Sequence, residues 1–205
     1  MFGVTTESET TPRSFLFLLG SARKDGNTEL LARQAASRLP GDVEQRWLHL
    51  ADLRLNPFPD LRHVGDGVAY PQPTGNERTL LDATLGATDL VIASPLYWYS
   101  VSADTKLYLD HWSAWMRVPG IDFKARMRGR TLWGVAALAG QDHQTADPLA
   151  GTLRRCADYL GMRWGGVLMG TGSEPGQVLG DASALERADT FFDASRTPVT
   201  SAAAR

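Results

Sequence analysis

Short apolar runs alternate along the chain with patterns of helical period. Residues 15–19 are five apolar positions in a row, and 90–93, 132–138 and 167–169 are similar runs. Continuous runs of this length suit strands buried on both faces, as in a parallel sheet. Over residues 43–48, Val43, Gln45 and Trp47 alternate with Glu44, Arg46 and Leu48, a mixed pattern that suits a less buried edge strand. The gaps carry helical stripes. Residues 28–39 line up Leu31, Ala35 and Leu39, and 77–85 offer Leu80, Leu81, Thr84 and Leu85. Residues 102–116 space Thr105, Tyr108, Trp112 and Trp115 or Met116 three to four apart. Asp147 and Pro148 read as an N-cap and first helical residue, followed by Leu149, Leu153, Cys156 and Leu160, with Gly161 as the stop. A last helix is predicted from near Asp181, with Ser183 and Glu186 as a capping box and Leu185, Ala188 and Phe192 buried.

Strand and helix thus alternate five times. That order predicts one α/β domain over residues 14–193, built as a doubly wound parallel sheet between helices. Residues 1–13 and 194–205, rich in small and polar side chains, are expected to be loose tails. Ligands of such sheets bind at the carboxyl ends of the strands, where the strand order reverses. The chemistry is therefore sought in the loops after strands.

Composition narrows the partners. The 205 residues carry 21 basic and 23 acidic side chains, a formal net charge of −2. Such a balance argues against nucleic acid, which needs excess Lys and Arg. A single cysteine makes neither an internal disulfide nor a cysteine-ligated metal cluster. No apolar run is long enough for membrane insertion, and the polar start does not resemble a secretory signal, so a soluble cytoplasmic protein is expected. His49, His63, His111 and His143 have no zinc-motif spacing.

The first loop reads Gly20-Ser21-Ala22-Arg23-Lys24-Asp25-Gly26-Asn27-Thr28 and runs straight into a helix. Small and hydroxyl residues before a helix N-terminus let backbone N–H groups converge on an anion. Asn27 follows Gly26 where a P-loop needs lysine, and no Gly-x-Gly-x-x-Gly occurs, so neither a triphosphate nor a dinucleotide loop is indicated. A plain helix-capping turn is the alternative. The third strand leads into Ser94-Pro95-Leu96-Tyr97-Trp98-Tyr99-Ser100. Three consecutive aromatics cannot all point inward, and an exposed loop aromatic favours binding. In strand order 2-1-3-4-5 these two loops meet. A planar ring bearing one phosphate, as in FMN, satisfies both.

Together, the segments Gly-Ser-Ala-Arg-x-x-Gly-Asn-Thr and Ser-Pro-Leu-Tyr-Trp-Tyr-Ser-Val-Ser-Ala-x-x-Lys-x-x-x-Asp resemble the flavodoxin-like NAD(P)H-dependent FMN reductase and quinone reductase family. The resemblance spans about residues 14–193. It implies a five-stranded flavodoxin-like α/β/α fold, bound FMN, NAD(P)H as co-substrate and a homodimer. It assigns the phosphate to Ser21, Arg23, Gly26, Asn27 and Thr28, and the ring to Pro95, Leu96, Tyr97, Trp98 and Tyr99. Lys106 and Asp110 match helix positions of the motif and are expected to be structural. His111 stands where the family often has arginine. The single cysteine removes the iron–sulfur branch, and Cys156, on an apolar stripe, is expected in the core.

After the fourth strand, Gly140 and Gln141 are placed by the resemblance near the flavin ring. His143 is a weak candidate proton donor, with a solvated loop histidine as the alternative. The expected activity is hydride transfer from NAD(P)H through FMN to a quinone, a free flavin or a nitro-aromatic, by a ping-pong mechanism. The alternatives are a flavodoxin-type electron carrier, disfavoured by the modest charge, and a non-catalytic flavin-binding regulator. Trp112 and Trp115 are open between core packing and a subunit interface. The proline-rich segment 50–76, with Phe58 and Tyr70, is expected to form a lid or dimer arm. Arg23 and Lys24 suggest a 2′-phosphate contact.

Overall fold

The computed structural model describes residues 12–64 and 69–193. The expected tails fall almost wholly outside these residues. Five parallel strands form one sheet in the order β2-β1-β3-β4-β5. They are β1 (Ser14–Leu19), β2 (Glu44–His49), β3 (Asp89–Ala93), β4 (Thr131–Leu138) and β5 (Arg163–Thr171). The helices are α1 (Asn27–Ala36), α2 (Gly75–Gly86), α3 (Ala103–Trp115), α4 (Phe123–Met127), α5 (Asp147–Leu160) and α6 (Ala182–Ala188).

The apolar runs bury both faces of the sheet by strict alternation. Leu16, Leu18, Leu90, Ile92, Leu132 and Ala136 face one core, closed by α2, α3, α4 and α5. Phe15, Phe17, Leu19, Val91, Ala93, Trp133 and Val135 face the other, closed by α1 and α6. A fully buried side chain of this size contributes about 1.5–3 kcal/mol, so the central strands dominate stability. β2 is the exposed edge, as its mixed pattern predicts. There Trp47 stacks on Phe17 at 3.9 Å between ring centroids, with the Arg33 guanidinium 4.4 Å from its ring.

Four sequence expectations change and one open reading closes. β5 is nine residues long rather than three, because Gly165 and Gly166 belong to it. A Cβ on Gly165 would stand 2.2 Å from the Trp133 ring, and the register of β4 and β5 shifts at that place. α4 is an additional short helix. Asp147 is the first residue of α5, after the cap Ala146, and α6 is capped by the Asp181 carboxylate, which accepts from Ala184 N–H at 3.0 Å, with no part for Ser183. Trp112 and Trp115 are 4% and 0% exposed within the chain itself, so they are core residues and have no surface to offer a partner subunit.

The boundary regions are well tied. Arg13 forks onto the buried Asp89 carboxylate at 2.7 and 3.1 Å and donates to the Phe192 carbonyl at 2.8 Å. Arg13 therefore anchors the domain rather than belonging to a loose tail. The segment after β2 lies against the α2–α3 core through Leu53, Leu55, Phe58 and Leu61. Tyr70 is buried there and its hydroxyl accepts from Leu61 N–H at 2.9 Å.

Candidate functional site

The loop between β1 and α1 is shaped from beneath. Gly20 N–H donates to the Ala93 carbonyl at 2.8 Å, and a Cβ at Gly20 would stand 2.0 Å from Thr105 Oγ1. Only glycine lets this loop sit on the start of α3. Ser21 Oγ accepts from Arg23 N–H at 3.1 Å and turns the chain back toward the helix. Asp25 has φ of 53°, and its N–H donates to Glu29 Oε2 at 3.0 Å. Glu29 is 2% exposed and is neutralised by the Arg33 fork at 2.6 and 2.9 Å. α1 then begins after Gly26 with no side-chain cap. A ten-residue helix with an uncapped N-terminus offers N–H groups and a positive partial charge to an anion.

The loop between β3 and α3 is closed at its neck. Ser94 Oγ accepts from Ser102 N–H at 2.8 Å, and Ser102 Oγ in turn caps α3 by accepting from Thr105 N–H at 3.3 Å. Above the neck, Tyr97 and Ser100 exchange two backbone hydrogen bonds of 3.0 Å. Trp98 and Tyr99 form the two-residue tip with φ of 49° and 64°. Positive φ at both tip residues is the signature of a type I′ turn, a conformation that Asn-Gly prefers. Here two aromatics adopt it, at a cost of about 1–2 kcal/mol per residue. The turn throws Trp98 outward to 92% exposure, with Tyr97 and Tyr99 more than half exposed beside it.

Between the two loops lies a cavity of about 240 Å³. Ser21, Arg23, Gly26, Asn27 and Thr28 line one side, and Pro95, Leu96 and Tyr97 the other. Ala137, Leu138, Ala139, Gly172 and Ser173 form its floor at the ends of β4 and β5. The switch point of the sheet thus carries an anion cradle next to an apolar, aromatic wall.

A profile of NADPH-dependent FMN reductases matches residues 14–163. The chain belongs to the NADPH-dependent FMN reductase family. YwqN of Bacillus subtilis, named as an NAD(P)H-dependent FMN-containing oxidoreductase, is 29% identical over 177 residues, covering 86% of this chain and 94% of that protein. The structure of Trp repressor binding protein from Bacillus subtilis aligns with a TM-score of 0.69 at 25% identity, covering 88% of this chain and 99% of that one. An NADH:FMN oxidoreductase in its apo form shares the fold, with a TM-score of 0.60 at 22% identity over 87% of this chain and 88% of that one.

The residues of this FMN reductase family member fit the phosphate and ring of FMN: an uncapped helix start faces one end of the cavity, and a proline and aromatic wall flanks the other. Sequence and structure diverge in detail. The Asn27 side chain is spent elsewhere, donating to the Gly172 and Glu174 carbonyls at 2.9 and 2.8 Å, so it stitches α1 to the loop after β5. Lys24 pairs with Asp52 at 2.9 Å, both groups well exposed, which ties the β1–α1 loop to the chain after β2. Trp98 and Tyr99 stand on the rim and do not line the cavity. Gly140 and Gln141 are exposed on the adjoining loop, and His143 Nε2 lies 3.3 Å from Thr171 Oγ1. Lys106 and Asp110 form an exposed i,i+4 pair, consistent with a structural place. Cys156 is half-buried against the α2–α5 core, and burial raises its thiol pKa above the ordinary value.

Two residues of consequence carry no motif. Glu29 shapes the phosphate loop from inside the helix. His111 is buried between α3 and the segment after β2. The acidic first turn of α1 hints at the former; the place after Asp110, where the family often has arginine, singles out the latter without showing its partners.

Proposed function

We propose that the FMN phosphate is held at the start of α1, by the backbone around Gly26 to Thr28 with Ser21 and Arg23 beside it. The ring lies along Pro95, Leu96 and Tyr97, with Gly140 and Gln141 at its pyrimidine edge. The uncapped N-terminus of α1 opening into the cavity carries this reading. When bound, FMN supplies a ring that takes up hydride and passes on electrons, and the protein supplies place and electrostatics.

The chain's own residues set the rest. Pro95 and Leu96 exclude water from one side of the cavity. A Gln141 N–H donor at the pyrimidine edge favours negative charge there. NAD(P)H binds first and leaves, and a quinone, a free flavin or a nitro-aromatic then takes its place, a ping-pong order. His143, on the loop after β4, is the candidate proton donor. The exposed Tyr97, Trp98 and Tyr99 form an aromatic rim suited to a second copy of the chain, which supports a homodimer.

The test is NAD(P)H oxidation by FMN-loaded protein with menadione as acceptor. Parallel double-reciprocal lines are expected. Absence of FMN binding on titration overturns the cofactor assignment, and FMN binding without turnover favours a carrier.

A further inference from the structure

A second, larger cavity of about 560 Å³ opens beside the first, beyond the end of β5. Gln141, His143, Thr171, Gln177 and Arg187 line it, with Asp181 and Ser183 at the base. The two cavities are lined from the same two loops: Gln141 and Thr171 line this one, and Ala139, Gly172 and Ser173 the first.

Arg187 supplies the charge. Its Nη1 donates to Ser183 Oγ at 2.6 Å and its Nη2 to the Met169 carbonyl at 2.8 Å. Both bonds go to neutral oxygens and leave three of five guanidinium N–H donors over. The bonds also fix the planar group in place. Asp181, the nearby carboxylate, turns its oxygens into the backbone, accepting from Thr171 N–H at 2.8 Å and Ala184 N–H at 3.0 Å. Gln177 Oε1 accepts from Ser173 and Glu174 N–H at 2.7 and 3.1 Å, which leaves its amide NH₂ as the free end. A fixed guanidinium with spare donors beside an oriented amide suits a planar or tetrahedral oxyanion.

We propose that this cavity binds the anionic group of a small molecule, a phosphate, carboxylate or sulfonate, through Arg187 with Gln177 at its side. The inference rests on the function proposed above and deepens it. The anion belongs either to the pyridine nucleotide or to the electron acceptor.

Calorimetric titration of FMN-loaded protein separates the two sources. One arm compares adenosine 2′,5′-bisphosphate with adenosine 5′-monophosphate. The other compares a naphthoquinone sulfonate with the parent naphthoquinone. In at least one arm the more anionic probe is expected to bind more tightly, and Arg187→Gln to erase about tenfold of that advantage, with Arg187→Lys restoring part. Gln177→Glu keeps the acceptor for Ser173 and Glu174 and replaces the free amide NH₂ with a charged oxygen, so it is expected to lower the same advantage severalfold in a folded protein. No advantage in either arm for the wild type, or an advantage unchanged in both Arg187→Gln and Gln177→Glu, overturns the proposal. FMN titration of the same samples reads the cofactor assignment separately, and the variants are expected to keep wild-type FMN affinity.

Discussion

The Glu77 carboxylate lies 3.0 Å from His111 Nδ1, and the opposite ring nitrogen, Nε2, lies 3.0 Å from the Asn56 carbonyl oxygen. A carbonyl only accepts, so Nε2 carries a proton. Glu77 Oε1 already accepts from Trp115 Nε1 at 2.9 Å, so Nδ1 also donates. This geometry suits the doubly protonated ring, which is 3% exposed, lies edge-on to Phe58 and clamps the segment after β2 to α2 and α3. Burial opposes this charge, but the bonds to Glu77 and Asn56, helped by nearby Asp110, outweigh it and raise the His111 pKa. Burial likewise opposes ionisation of Glu77, while His111 and Trp115 hold its pKa down.

The pH dependence follows from these directions. His111 binds its proton more tightly when folded, so its stabilisation is complete below the unfolded pKa of about 6.5 and is lost as pH rises through the higher folded value. Glu77 behaves oppositely: its contribution is present above the ordinary carboxylate value and is lost as pH falls through the lowered folded one. Urea unfolding across pH 4–10 is expected to show this clamp weaken at alkaline pH. His111→Leu should lower stability by about 2 kcal/mol at pH 6 and flatten the alkaline limb. An unchanged alkaline limb in the variant would count against an imidazolium.

The phosphate loop has its own internal support. Glu29→Ala removes the acceptor for Asp25 N–H and frees Arg33, and FMN is expected to bind about tenfold more weakly. Glu29→Gln keeps an acceptor oxygen and should restore most of the loss. Fluorescence titration with FMN and with riboflavin distinguishes loop placement from general damage. Only the FMN affinity should fall, because riboflavin has no phosphate.

These two clamps mark where sequence reading runs out. The sheet was legible because residues 15–19, 90–93 and 132–138 are apolar on both faces, and only strands buried from both sides need that. Only 167–169 of β5 form an apolar run, because Gly165 and Gly166 carry no side chain, and the reason for Gly165 is the Trp133 ring on the neighbouring strand, 32 positions earlier. The stripe of Trp112 and Trp115 is the same whether the covering layer is the chain's own or a partner's. The two flavin-side loops were legible because anion and ring binding need short-range patterns of small, hydroxyl and aromatic residues. Glu77 and Asn56 reach His111 from 34 and 55 positions away, and no local pattern records such a meeting.

Gly20 couples the loop to the scaffold. Gly20→Ala places a methyl 2.0 Å from Thr105 Oγ1 and 2.9 Å from Ser102 Oγ, both held by the neck of the second loop. Overpacking of this kind costs about 1–3 kcal/mol. The expected outcome is a lower unfolding midpoint together with weaker FMN binding, since relief of the clash moves either the phosphate loop or the start of α3. Thermal melts with and without FMN check both, and a variant matching wild type in both would show that the loop has slack.

The aromatic turn should trade stability for function. Trp98→Asn with Tyr99→Gly installs the residue pair that a type I′ turn prefers, so the apo protein is expected to gain about 1–2 kcal/mol in chemical denaturation. The Tyr97–Ser100 hydrogen bonds and the cavity wall at Pro95–Tyr97 should survive, because the substitution touches only the tip. FMN affinity should therefore change little. Trp98 and Tyr99 follow directly on Tyr97, which lines the cavity, so KM for an aromatic acceptor is expected to rise severalfold at similar kcat. A stability gain with unchanged KM would reduce Trp98 and Tyr99 to loop residues. A loss of stability would point to contacts of the exposed rings outside the single chain, and analytical ultracentrifugation of wild type against the variant would then test for a dimer that the substitution dissociates.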